Sequence, residues 1–86
     1  MGRKAQKRPK RLARKLVFIR EREGLTQEAM ATLLKKHGAE ATTRSGYVAD
    51  FETGRRIPSL FTLLAYARIG NTSTDCLIDD NLDPIT

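Results

Sequence analysis

The segment Ser45-Gly46-Tyr47-Val48-Ala49-Asp50-Phe51-Glu52-Thr53-Gly54-Arg55-Arg56-Ile57-Pro58-Ser59-Leu60 decides the fold reading. Val48 and Phe51 stand three apart and share a helical face, while Tyr47 and Asp50 are directed elsewhere. A short helix is therefore predicted over Ser45 to Thr53. It cannot run on, because Gly54 and the loop Arg55-Arg56-Ile57-Pro58 follow. Gly46, near its start, lets another backbone approach closely. Ser59 is placed to cap a further helix, in which Leu60, Leu63, Leu64 and Ala67 form the expected buried stripe, Tyr66 is partly exposed and Gly70 is the end.

Upstream, Leu25-Thr26-Gln27-Glu28 reads as a helix start, with Thr26 as N-cap and Glu28 in the first turn, where it complements the helix dipole. Met30, Ala31, Leu33 and Leu34 supply its apolar face, and Gly38 terminates it after Lys35-Lys36-His37. Residues 38–43 form a small-residue turn longer than a tight helix corner needs. Before Gly24, a helix over about Lys10 to Glu23 follows from the recurrence of Leu12, Leu16 and Ile19, with Pro9 ahead of it, where the missing N–H costs nothing. Downstream, Ser73 caps a last short helix or turn, with Asp75 in its first turn and Leu77 and Ile78 closing the core. The expected core is Leu16, Ile19, Leu25, Met30, Leu34, Val48, Phe51, Leu60, Leu63, Leu64 and Leu77. No strand is predicted. Five short helices cannot each bury a face alone, so an all-α domain around one core is expected.

The chain has 86 residues, enough for one domain with a modest core. Sixteen Lys and Arg against ten Asp and Glu give a net charge of +6, which favours an anionic partner: nucleic acid, an anionic membrane surface or an acidic protein. The charge is unevenly placed. Arg3, Lys4, Lys7, Arg8, Lys10, Arg11, Arg14 and Lys15 fall in the first 15 residues with no acid among them, whereas Asp75, Asp79, Asp80 and Asp83 occupy the end with no Lys or Arg. The expected division is a basic arm over 1–9, a helical domain over 10–78 and an acidic tail over 79–86. The single Cys76 cannot form an internal disulfide, and it reads as a packed residue. No apolar run approaches a membrane span and no signal-peptide core follows the basic start, so a cytoplasmic protein is the expectation. His37 is read as solvent-facing. With one His and one Cys a zinc site is not expected, and no spacing joins a nucleophile to an activating base, so neither a cofactor nor enzymatic activity is expected.

Several stretches together resemble the Cro/C1-type helix-turn-helix family, also called the XRE family, whose fold is the compact five-helix, lambda-repressor-like domain. They are Leu16-Val17-Phe18-Ile19-Arg20-Glu21, Gly24-Leu25-Thr26-Gln27-Glu28-Ala29-Met30-Ala31, the run from Tyr47 to Leu60, Leu63-Leu64-Ala65-Tyr66-Ala67 and Ser73-Thr74-Asp75-Cys76-Leu77-Ile78. The likeness covers about residues 12–78. It departs in one place: the connection from Leu34 to Arg44 is longer than the family's tight turn. Either the second helix extends by a turn or a surface loop is inserted, at little thermodynamic cost.

The resemblance implies a sequence-specific transcriptional regulator that binds double-stranded DNA as a homodimer, with the helix from Ser45 in the major groove. On this reading Arg44, Ser45, Gly46, Tyr47, Ala49 and Asp50 face the bases. Arg44 is suited to guanine, Ser45 to either base type, Asp50 to cytosine N4, and Tyr47 to a sugar or a thymine methyl. Asp50, which phosphates repel, has an alternative as the partner of Arg44 or Arg55. Gln27 is implied to bond a phosphate and to buttress the helix from Ser45, and Arg55 and Arg56 to contact phosphates. Arg20 and Glu52, each beside an apolar residue, are implied to form a structural ion pair tying the first helix to the third. The basic arm is suited to the backbone or an adjacent minor groove. Leu77, Ile78, Leu82 and Ile85 are the expected dimer surface. The competing reading is a protein-interaction module of antitoxin or coactivator type, holding a protein partner through its acidic tail. RNA binding is disfavoured by the lack of aromatic platforms around the arm.

Overall fold

Local end signals account for most of the helix boundaries. The computed structural model describes residues 9–82, and within them the chain forms α1 (Leu12–Arg22), α2 (Gln27–Lys36), α3 (Ser45–Thr53), α4 (Leu60–Ile69) and α5 (Thr74–Ile78). Thr26, Ser59 and Ser73 each accept a hydrogen bond from the main-chain N–H three residues on, which satisfies one otherwise orphaned donor at the start of α2, α4 and α5. At the end of α3, Gly54 has φ +81°, and the following Arg55 N–H donates back to the Asp50 carbonyl at 2.9 Å. A side chain there would be strained, so the helix stops where the glycine stands. Leu25 N–H to Arg20 O and Ala39 N–H to Leu34 O close α1 and α2 in the same pattern.

The connection between α2 and α3 is a loop and not a further turn of α2. α2 ends at Lys36, and residues 37–44 carry no helix. Ala39 and Thr43 are buried, and the Glu40 carboxylate accepts from the Thr62 hydroxyl at 3.0 Å, which pins the loop to the first turn of α4. His37, expected to face solvent, is half-buried.

All five helices contribute to one core, in which Leu16, Ile19, Met30, Leu34, Val48, Tyr66 and Leu77 are fully enclosed. The expected stripe of α4 needs correction. Leu63 and Ala67 are buried, but Leu60 is 78% exposed and Leu64 37%, while Tyr66, expected to be partly exposed, is completely covered. The helix is apolar nearly all round, so its hydropathy does not choose a face. The choice is made by Tyr66, which packs edge-on to Phe51 with ring centroids 6.3 Å apart, and by Thr62, which reaches Glu40. Leu25 is half-buried rather than enclosed, and Leu12, Ala31 and Ala65 join the core. Gly70 contributes through its missing side chain. A Cβ there would meet three carbons of Ile19 at 3.0–3.2 Å, so the end of α4 lies directly on α1. The left-handed residue that turns the chain there is Asn71, at φ 55°.

The two ends of the domain are tied together. α1 has no side-chain cap of its own at Arg11. The Asp80 carboxylate takes the main-chain N–H of Lys10 and of Arg11, each at 3.0 Å, and the Arg11 guanidinium donates to the Asp80 carbonyl at 2.7 Å. Lys15 is buried, with its ammonium on the carbonyls of Cys76 at 2.7 Å and Asp79 at 2.8 Å, at the end of α5. Lys15 and Arg11, counted in sequence within the basic N-terminal run, are thus engaged by the C-terminal segment. Arg3, Lys4, Lys7 and Arg8 of the arm, and Ile85 at the other end, lie outside the described residues. No helix among the described residues is long and apolar enough to cross a membrane.

Candidate nucleic-acid interface

α3 is held by packing on one side and by charge at its end. Val48 and Phe51 face the core, leaving Arg44, Ser45 and Gly46 exposed at its start and Tyr47, Ala49 and Asp50 half-buried along its length. Arg20 Nε donates to Glu52 Oε2 at 2.6 Å and Arg20 Nη2 to Oε1 at 3.2 Å, a two-pronged pair joining α1 to α3. The Arg20 side chain is 17% exposed and that of Glu52 6%. Arg20 Nη1 also donates to the Leu25 carbonyl at 2.8 Å, drawing in the turn between α1 and α2. The carboxylate bond raises the Arg20 pKa, which keeps the guanidinium charged.

Gln27, the first residue of α2, turns its amide toward the same carboxylate, Nε2 to Glu52 Oε1 at 3.0 Å. One amide hydrogen and the main-chain N–H remain for any further acceptor. Arg20, Gln27 and Glu52 therefore form one network that fixes α3 against both preceding helices. The Tyr66 hydroxyl is buried with no hydrogen-bond partner among the described residues, and burial pushes its pKa upward.

On the outer side, the Tyr47 ring carries two guanidinium groups, Arg56 at 4.2 Å from its centroid and Arg44 at 5.0 Å. Both lie within the range of cation–π attraction. The alternative partner of Asp50 is Arg56, with Nε 3.8 Å from Oδ2, rather than Arg44 or Arg55. The pair is half-exposed and contributes little to stability. The Asp50 carbonyl accepts from Arg55 N–H and Arg56 N–H, so both arginines are aligned by the end of α3. Arg44, Tyr47 and Arg56 together form a cationic, partly aromatic ridge, with Arg55 exposed beside it.

Two shallow grooves flank this ridge. One, of about 280 Å³, lies between the α2–α3 loop (Glu40, Thr42, Thr43), α3 (Tyr47, Phe51) and the start of α4 (Ser59, Thr62), with Arg56 and Ile57 on its wall. The other, of about 240 Å³, sets Pro9 and Lys10 beside Thr53, Gly54 and Arg56, which places the root of the basic arm next to the loop after α3. Glu40, Thr42 and Thr62 were not singled out from sequence. Glu40 and Thr62 are 22 positions apart, and only the folded loop brings them together. Neither Arg44–Tyr47–Arg56 stacking nor the Asp50–Arg56 pair has a signature in helical spacing, because Arg56 lies beyond the end of α3. Among the described residues no group of three or more His, Cys, Asp and Glu side chains is arranged to hold a metal ion.

No protein-family model matches the chain, and neither a curated protein nor a solved structure matches it.

Proposed function

We propose that the chain is a lambda-repressor-like, Cro/C1-type helix-turn-helix domain that binds double-stranded DNA sequence-specifically and regulates transcription, with α3 in the major groove. The observation that carries this reading is the opposed character of the two sides of α3. One side is fixed by Val48, Phe51 and the Arg20–Gln27–Glu52 network. The other presents Arg44, Ser45 and Gly46, small or cationic and exposed, beside Arg55 and Arg56. A helix held at several points with its leading turn uncovered suits base reading, which depends on a fixed approach to the groove.

Gly46 supports the reading from a second direction. A Cβ at this position would meet nothing within 4 Å, so the fold gives no reason for glycine in the first turn of a helix. A duplex lying against that turn supplies one, since the backbone can then approach the base edges closely. Ser45 and Arg44 are the proposed base readers, with Tyr47 and Ala49 further along the groove. Asp50 acts toward Arg56 and orients it. Arg55 and Arg56 take phosphates, and Gln27 uses its main-chain N–H and remaining amide hydrogen at the start of α2.

Duplex affinity measured across salt concentrations tests this. Loss of Arg55 or Arg56 to alanine should reduce the slope of log K against log salt by about 1 per phosphate contact removed. Unchanged slopes in both variants would remove the backbone contacts from the proposal.

A further inference from the structure

The main chain ahead of α1 is held by the far end of the domain. Lys10 and Arg11 precede the first helical residue, Leu12, and α1 has no side-chain cap of its own. Asp80 holds them instead. Its Oδ2 accepts from the Lys10 N–H and its Oδ1 from the Arg11 N–H, each at 3.0 Å. Asp80 is itself braced, because the Lys15 ammonium grips the carbonyls of Cys76 and Asp79 while the N–H groups of Asn81 and Leu82 donate back to Asp79. What this clasp positions is Lys10. The residue is exposed and lines the groove of about 240 Å³ together with Thr53, Gly54 and Arg56 at the end of α3.

The charge of that groove points to an anion. Its lining holds two cations, Lys10 and Arg56, and no carboxylate, whereas the neighbouring groove contains Glu40. Asp50, which stands 3.8 Å from Arg56, does not line it. The groove is open at Gly54, where a Cβ would meet nothing within 4 Å. We propose that Lys10 joins Arg56 in a phosphate site for the duplex backbone, and that Asp80 is the positioning residue that assembles this site without touching DNA. The inference rests on the DNA-binding reading and adds a cation and its support to it. Main chain already ordered at Lys10 spares the entropy that a free lysine would lose on binding. The acidic C-terminal segment thereby promotes the binding of a polyanion that its own charge would repel.

That opposition supplies the test. Replacing Asp80 raises the net charge by one, so charge alone predicts tighter duplex binding, whereas loss of the clasp predicts weaker binding. Anisotropy of a labelled mixed-sequence duplex is followed across salt concentrations with the whole chain, at a temperature where circular dichroism shows every variant folded. Lys10→Gln should lower the slope of log K against log salt by about 1, and Asp80→Ala should lower it by at least as much. In the Asp80→Ala background, Lys10→Gln should have no further effect, while Arg55→Ala should keep its full effect. A merely structural Asp80 would leave the slope where it was. An unchanged slope in Lys10→Gln, tighter binding by folded Asp80→Ala, or additive losses from Lys10 and Asp80 each overturn the proposal. If Arg55→Ala still lowers the slope in those cases, the DNA-binding reading stands and only this site falls; a wild type that binds no duplex removes both.

Discussion

Replacing Glu52 by alanine removes the acceptor that joins three helices. The change deletes the 2.6 Å and 3.2 Å bonds from Arg20 and the 3.0 Å bond from Gln27, leaving the Arg20 guanidinium with the Leu25 carbonyl at 2.8 Å. Breaking a buried pair by removing one member costs about 3–5 kcal/mol. With Arg20 17% exposed, water recovers part of its solvation, and the expected loss falls to roughly 2–3 kcal/mol. For a domain of this size each kcal/mol moves Tm by about 4–8 °C, so a drop of roughly 10–20 °C is expected. Arg20→Ala should cost at least as much, because it strands a carboxylate only 6% exposed with a single amide donor. Arg56→Ala serves as the control, since its pair with Asp50 is half-exposed at 3.8 Å and should cost under about 0.5 kcal/mol. Thermal melting by far-ultraviolet circular dichroism, completed as a double-mutant cycle with Arg20→Ala/Glu52→Ala, gives the coupling directly. Near-zero and equal losses in all three single variants would refute the structural role of the pair.

Three further outcomes follow from particular contacts. Gly46→Ala should raise stability, by up to about 1 kcal/mol, and weaken duplex binding at least tenfold; melting and fluorescence anisotropy on one preparation separate the two effects, and unchanged affinity would place the first turn of α3 away from DNA. Tyr66→Phe should be neutral or stabilising by about 1 kcal/mol in a melting experiment, because it removes a buried hydroxyl that has no partner among the described residues; a large loss would show that the hydroxyl is bonded. The N–H groups of Lys10 and Arg11 hold the Asp80 pKa below its ordinary value, so its contribution to stability is fully present above the unfolded value and is lost as pH falls through the folded one. Melting temperatures of the wild type and Asp80→Asn should therefore differ above about pH 5 and draw together as the carboxylate protonates in acid, and a gap that stays constant through that titration would contradict the assigned contact.

Helix positions were legible in sequence because their signals are local. Thr26, Ser59 and Ser73 each bond within three residues, and Gly54 closes α3 on its own carbonyls. The outward side of α4 was not legible, because Leu60, Phe61, Leu63 and Leu64 offer apolar groups in several directions and the packing partner decides among them. The contacts of Lys15 and Asp80 were not legible for the same kind of reason: their partners lie 61 to 70 positions away. At the candidate site, the Arg20–Glu52 pair was anticipated only through family resemblance, since no local rule links residues 32 apart. The amide of Gln27, implied by the resemblance both to bond phosphate and to buttress α3, donates to that pair's carboxylate, and the loop between α2 and α3 contributes a groove wall that no motif announced.

The central claim is that the start of α3 reads base sequence, and selection from random duplexes tests it most directly when the wild type and an Arg44→Ala/Ser45→Ala variant are run in parallel. The wild type should enrich one defined site, and the variant should lose preference at one or two base pairs of that site while retaining its salt-dependent affinity. Enrichment of no sequence by the wild type, or of an identical site by both proteins, would contradict base reading by this helix.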